Sequence, residues 1–213
     1  MAKGARSQHP APSRRSARLA PSLRDGILSA ARQMFADEGF EHVSMRKLAR
    51  RIGYSPTAVY LHFANKDDLF RAVCDETFAR LVARLEKQRR QHAGDALTIL
   101  RTGLREYIAF GLKHPEHYIV TFLQRRTGAS VRDFEDSTGE QAFGYLVRAV
   151  DDCIREGLFR PVQADVAAQT LWMSVHGLVS LLVMQKPFPF APAAVLAEAQ
   201  VDTLIRGLLR SAR

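Results

Sequence analysis

From residue 22 onward, apolar positions recur at spacings of three and four, and no run alternates in the manner of a strand. Ile27, Leu28, Ala31, Met34 and Phe35 form one such stripe. It is bounded by Ser22, a good N-cap with Asp25 three residues on, and by Gly39, so a helix is predicted from Ser22 to about Glu38. Met45, Leu48, Ala49 and Ile52 form a shorter stripe, with Arg46, Lys47, Arg50 and Arg51 on the other faces. Gly53 then offers a sharp turn, and Ser55-Pro56 reads as an N-cap and first helical position, where the missing N–H of proline does no harm. The pattern is helix, turn, helix. Asn65 caps a further helix with Asp67 and Asp68 in its first turn; Leu69, Val73, Phe78, Leu81, Val82 and Leu85 carry it to about Gln91, before Gly94.

The same periodicity continues to the end of the chain and predicts helices at 95–113, 115–125, 137–156, 163–185 and 191–211. Breaks fall at His114-Pro115, at the polar stretch from Thr127 to Ser137, at Gly157 to Pro161, and at Lys186 to Pro189. The predicted fold is all-α: an N-terminal three-helix helix-turn-helix bundle over residues 21–66, joined by a long helix to a larger helical body over 67–213. Ile27, Ala31, Phe35, Leu48, Ile52, Val59 and Phe63 are the expected core of the bundle, which is too small to be stable alone and must lean on its neighbour. Residues 1–20, rich in Pro, Ser, Ala and Arg, cannot repay the entropy of ordering and read as a flexible basic tail.

Charge is distributed unevenly. Residues 1–66 hold twelve Lys/Arg against four Asp/Glu, and the remaining 147 residues hold nineteen against eighteen. A local basic excess beside a helix-turn-helix is the footprint of phosphate binding, although a solvated surface carries the same charges. The most apolar run, Met173 to Met184, is shorter than the roughly 18 residues a membrane span needs. The basic N-terminus lacks the apolar segment of a secretory signal, and two isolated cysteines, Cys74 and Cys153, make no disulfide framework. The expected location is cytoplasmic, with both thiols in helical cores. No phosphate loop, nucleophile elbow, zinc helix or CxxC pair is present, so neither an enzymatic reaction nor a cofactor is expected.

The run from Ser44 to Leu69, with its Leu-Ala pair, Gly53, Ser55, Val59-Tyr60, His62-Phe63, Lys66 and Leu69, resembles the DNA-binding domain of TetR-family transcriptional regulators, and the likeness extends over residues 22–69. Trp172-Met-Ser-Val-His176-Gly177 is similar to the Trp-His-Gly signature of one class of C-terminal domains in that family. Tyr54 and the tripeptide Pro56-Thr57-Ala58 depart from the more frequent residues beside the turn, so the resemblance does not transfer an operator sequence.

Within this frame Pro56, Thr57 and Ala58 lie where side chains enter the major groove, Thr57 able to hydrogen-bond and its neighbours able to touch a thymine methyl. The resemblance places Tyr60 and His62 on phosphates; packing for Tyr60 and solvent for His62 are the alternatives. Ser44, Ser55 and Lys66 stand at helix N-termini, where phosphate is favoured, and Arg46 and Lys47 are further candidates for DNA contact. Tyr107, Phe110, Tyr118, Phe122, Phe143, Trp172, Met173 and His176 could together line an apolar cavity for a small molecule; the alternative is that they are simply core. His114, Glu116 and His117 have a metal-compatible spacing but read better as the start of a helix. The resemblance implies a homodimer through helices 163–185 and 191–211, a palindromic double-stranded operator, and repression relieved by a small apolar effector. A regulator without such an effector, controlled by a protein partner or constitutive, stays open.

Overall fold

The computed structural model describes residues 22–124 and 137–210. The basic tail at 1–20, most of the polar stretch from Thr127, and the last predicted helical residue lie outside them. The described residues form nine α-helices: α1 (Leu23–Glu38), α2 (Met45–Ile52), α3 (Pro56–Tyr60), α4 (Lys66–Gln91), α5 (Ala96–Lys113), α6 (Pro115–Tyr118), α7 (Thr138–Arg155), α8 (Ala164–Met184) and α9 (Ala193–Leu208).

Helix starts follow the capping chemistry. Ser22 and Asp25 exchange hydrogen bonds as a capping box, and Ser44, Ser55, Asn65, Asp95 and Ser137 each accept from the backbone N–H three residues on. Gly53 closes α2 in the left-handed conformation (φ 73°, ψ 27°), which a side chain would strain.

There are two hydrophobic cores, and α4 runs from the first to pack beside α5 and α7 of the second. The N-terminal core gathers α1, α2 and α3 around Ile27, Phe35, Leu48 and Val59, with Phe35, Phe40 and Phe70 in mutual ring contact at 5.1–5.8 Å. It continues past residue 66 to take in Leu69, Phe70 and Val73 of α4, and also Val120 from far along the chain. Ile52, expected in this core, is only partly buried at its edge. The second core holds α5, α7, α8 and α9 together through Leu100, Leu104, Ile108, Val150, Leu171, Val175, Val179, Val201 and Ile205. Gly111 lets α5 approach this core closely: a Cβ there would lie 2.5 Å from Val179 and 2.9 Å from Tyr118.

The predicted helix at 115–125 is divided. α6 gives way after one turn to a π-helical turn, Ile119–Leu123, closed by Gln124 N–H donating to the Ile119 carbonyl at 3.0 Å. Near the C-terminus an isolated antiparallel bridge pairs Phe159 with Leu209, tying the α7–α8 loop to the end of α9. α8 is longer than the apolar run within it. By length and mean hydropathy (1.5) it could cross a bilayer, yet Leu171, Val175, Val179 and Val183 pack into the protein core.

Candidate DNA interface and effector cavity

α2 and α3 meet at Gly53 with their buried sides, Met45, Leu48, Ala49 and Val59, turned into the N-terminal core. What remains on the outside is polar and basic. Arg46, Lys47, Arg50 and Arg51 on α2 and Pro56, Thr57, Tyr60 and His62 around α3 are exposed, with Ala58 half-buried between them. Tyr60 and Leu61 project from the end of α3 at 50% and 81% exposure, far from the packing role open to Tyr60 in the sequence. The Ser44 and Ser55 hydroxyls are engaged as helix caps, each accepting at 3.2 Å. Lys47 pairs with Glu38 at the end of α1.

Lys66 departs from expectation. Its ammonium turns inward, donates to the Phe40 carbonyl at 3.0 Å and sits 4.2 Å above the Phe40 ring. The α1–α2 loop lies within its reach and offers a carbonyl beside an aromatic face, so Lys66 fastens that loop to α4 instead of standing free at the helix N-terminus.

Between α4, α5, α7 and α8 the larger core opens into a cavity of about 850 Å³. Five of the residues expected around such a space line it: Tyr107, Phe122, Phe143, Trp172 and His176. They are joined by polar contacts. The Trp172 indole N–H donates to the Tyr107 hydroxyl at 3.2 Å, and that hydroxyl lies 3.2 Å from His176 Nδ1. Burial lowers the His176 pKa below its ordinary value, so the imidazole is neutral at pH 7, and burial raises that of Tyr107.

Three expected lining residues are elsewhere. Tyr118 is fully buried and is not in the wall; its hydroxyl donates to the His176 carbonyl at 3.0 Å, and its ring packs on those of Phe122 and His176, which are. Phe110 lies one turn beyond Tyr107 along the same face of α5, past the cavity, against His114 and His117 and beneath Arg84. Met173, one helical step beyond Trp172, points out of the body at 60% exposure. Apolar character alone does not distinguish these three positions; their direction depends on which neighbour each helix packs against. Leu81, Leu85, Gly103, Leu104, Ala142 and Leu146 line the cavity without having been singled out, because nothing separates them in sequence from ordinary core.

α6 and the π turn link the cavity to the N-terminal bundle. Phe122 and Thr121 face the cavity, while Val120, between them and α6, is part of the N-terminal core. Gln124 clamps the end of α1, donating to the Phe35 carbonyl at 2.6 Å and accepting from Phe40 N–H at 2.8 Å. His117 is buried between the two parts of the molecule. Arg32 of α1 donates to its Nε2 at 2.9 Å, so Nδ1 carries the proton and faces the Thr77 hydroxyl at 2.8 Å, which in turn donates to the Val73 carbonyl. Burial and the neighbouring Arg32 hold the His117 pKa at about 3, and Glu76 lies 3.4 Å from the Arg32 guanidinium. His117 therefore has a structural hydrogen-bonding role, and no cluster of metal-ligating side chains occurs among the described residues.

Comparison with known proteins agrees with this arrangement. Residues 27–73 match the description "Bacterial regulatory proteins, tetR family", and residues 100–204 match "Tetracyclin repressor-like, C-terminal domain". The chain is 33% identical over 137 residues to the HTH-type transcriptional repressor AcnR of Corynebacterium diphtheriae, a match spanning 64% of this chain and 64% of that relative. Among solved structures, a protein with unknown function from Rhodococcus sp. RHA1 superposes with a TM-score of 0.75 at 26% identity, covering 92% of this chain and all of that one. The TetR family regulator PfmR of Thermus thermophilus has the same fold, with a TM-score of 0.70 at 24% identity over 90% of this chain and all of that one. With its helix-turn-helix at one end and its helical body at the other, the chain belongs to the TetR family of transcriptional regulators.

Proposed function

We propose that the protein is a cytoplasmic homodimeric repressor that leaves a palindromic operator when a small, largely apolar molecule enters the cavity. Residues 21–66 form the DNA-reading unit and residues 67–213 the effector-binding and dimerising unit, with the basic arm at 1–20 adding attraction to the duplex. Thr57, flanked by Pro56 and Ala58, reads base edges, while Ser44, Arg46, Lys47, Ser55, Tyr60 and His62 hold the phosphate backbone on either side.

Dimerisation draws support from the outer face of α8 and α9. Val166, Met173, Leu181, Met184 and Val195 are each more than half exposed, a run of apolar side chains on two adjacent helices that a second copy would cover. Two recognition helices about 34 Å apart then meet successive major grooves of a palindrome.

The observation that carries effector control is the segment from His114 to Gln124. One side of it forms cavity wall, and the other is hydrogen-bonded into α1. A molecule that displaces Phe122 or Thr121 must shift Gln124 and His117, and with them the end of α1 against α4. A coupling of about 1–3 kcal/mol is a usual size for such a link.

The test begins with selection of the operator from random-sequence DNA by the purified protein. A complex of two chains on a palindrome is expected, with Arg46→Ala weakening binding and lowering the salt slope by about one, and Thr57→Val changing sequence preference more than affinity. A monomer that binds with full affinity would remove the two-half-site reading. For control, Gln124→Ala is expected to leave operator affinity intact while blunting release by a molecule that changes Trp172 fluorescence. Undiminished release from that variant would remove the segment from the coupling path.

A further inference from the structure

α8 carries an outward stripe whose spacing is symmetric about Gly177. Thr170 and Met173 lie seven and four residues before it, Leu181 and Met184 four and seven residues after it, and Val166 and Phe188 eleven residues to either side. At about 100° per residue the helical members of this set stay within about 40° of one line along α8. Apart from the half-buried Gly177, all of them are exposed. Spacings of three and four are those of a seam between two packed helices, and here their order reads the same in both directions. On an antiparallel pair related by a two-fold axis beside Gly177, Met173 meets the partner's Leu181, Thr170 the partner's Met184, and Val166 the partner's Phe188.

Three further observations favour a second copy of this chain as the occupant. A Cβ built on Gly177 meets nothing within 4 Å, so the single chain gains nothing from a glycine that weakens the helix interior, whereas a helix crossing there needs the space. Hydroxyls beside the seam are turned back on their own helix. Thr170 donates to the Val166 carbonyl at 2.9 Å and Ser174 to the Thr170 carbonyl at 2.8 Å, so neither is stranded when the face is covered. Charge selects the direction. Asp165 is in the first turn of α8 and Lys186 lies just beyond its end, both exposed. An antiparallel pair brings each Asp165 toward the partner's Lys186, whereas a parallel pair would set like charges together.

The two ends of the stripe also differ in shape. Beyond α8, Pro187 and Pro189 restrict the backbone around Phe188, whose N–H donates to the Gln185 carbonyl at 3.0 Å and whose ring is 60% exposed. At the other end a groove of about 270 Å³ opens beside Val166 and Thr170, lined also by Val162, Leu171, Leu204 and Leu208.

Resting on the dimeric reading above, we propose that two copies cross α8 on α8 in antiparallel fashion at Gly177, each Phe188 entering the groove beside the partner's Val166. The same turns of α8 carry Trp172, Val175 and His176 in the cavity wall, so the crossing joins the two cavities through one helix from each copy.

The experiment sediments the full chain at micromolar concentration, where a dimer is expected. Gly177→Cys should then form a disulfide-linked dimer under mild oxidation, and the unaltered chain, with Cys153 buried and Cys74 half-buried, should not. With a short bismaleimide, Met173→Cys and Leu181→Cys should each link poorly, and the chain carrying both changes should link efficiently. Gly177→Leu, whose side chain enters open space in the single chain, should keep its helical circular dichroism and weaken the dimer about thirtyfold or more. Phe188→Ser should weaken it about tenfold. A dimer that Gly177→Leu leaves unchanged, or Met173→Cys alone linking as well as the double variant, would overturn the antiparallel crossing and leave the dimer standing. A monomer under these conditions would remove both.

Discussion

The two cores of this molecule are packed to different ends. Around Phe35, Phe40 and Phe70 the N-terminal core is filled by interlocking rings, and each of α1, α2, α3 and the start of α4 contributes fully buried side chains. The C-terminal body is larger and has more apolar residues to fill it, yet it holds a cavity of about 850 Å³. A reading head must keep a few side chains at fixed positions against DNA, which dense packing achieves. The proposed response of the body to a small molecule needs a volume that packing has not closed. The segment from His114 to Gln124 touches both, with one surface in each regime.

That contrast can be broken most severely at the ring cluster. Phe35→Ala is expected to destabilise by about 3–5 kcal/mol in urea unfolding, because the surrounding rings cannot collapse into the space. Leu146→Ala, on a wall that already faces open volume, should lose less than half as much. Comparable losses at the two positions would mean that the body is as tightly packed as the head.

Gly111→Ala tests whether the body has a closely packed side as well as a hollow one. Its new methyl would meet Val179 and Tyr118 at distances that real side chains do not tolerate, so a loss of about 1–3 kcal/mol is expected in the same assay. A neutral result would show that α5 moves freely into the cavity.

The polar joint between the two regions has a pH signature. His117 is held neutral in the fold with its pKa at about 3, whereas in the unfolded chain it titrates near 6.5. The unfolded state therefore binds the extra proton between those values. The contribution of His117 is fully present above about pH 6.5 and is lost as pH falls toward 3, with a slope of up to about 1.4 kcal/mol per pH unit. Burial lowers the pKa of His114 and His176 as well, in the same direction. Unfolding measured across pH 4–7 should show His117→Gln flattening this dependence, and an unchanged slope would place the acid sensitivity elsewhere.

The smallest effect belongs to the outer surface of the body. Arg155 pairs with Asp151 and Asp152 while largely exposed, and Arg155→Ala should cost under about 1 kcal/mol by urea unfolding. A larger loss would show that Arg155 holds Asp152 in place against Arg89.

Much of the reading head was legible in order. Ser22 with Asp25, Ser44, Gly53, Ser55-Pro56 and Asn65 each act within three or four residues of themselves, so capping and turn chemistry located the starts of α1 to α4 to within a residue or so. The body was legible only in outline. Its helices were visible from their periodicity, but Tyr118, Phe110 and Met173 satisfy that periodicity as well as Tyr107 and Trp172 do, and only the latter two face the cavity. Arg32 and His117, 85 residues apart, carry no mutual signal in sequence. Lys66 looked like a helix N-terminal cation and became a tie to Phe40 because the α1–α2 loop folds over it.

What the chain order alone determined is therefore the local and the periodic: the all-α class, the helix-turn-helix with its left-handed Gly53, and the basic excess beside it. These rest on backbone preferences and on charges that need no distant partner. Tertiary structure decided the π turn, which residues line the cavity, and the tautomer of His117. Each of those depends on which side chains from remote helices arrive at the same place, and hydrophobic spacing carries no information about that.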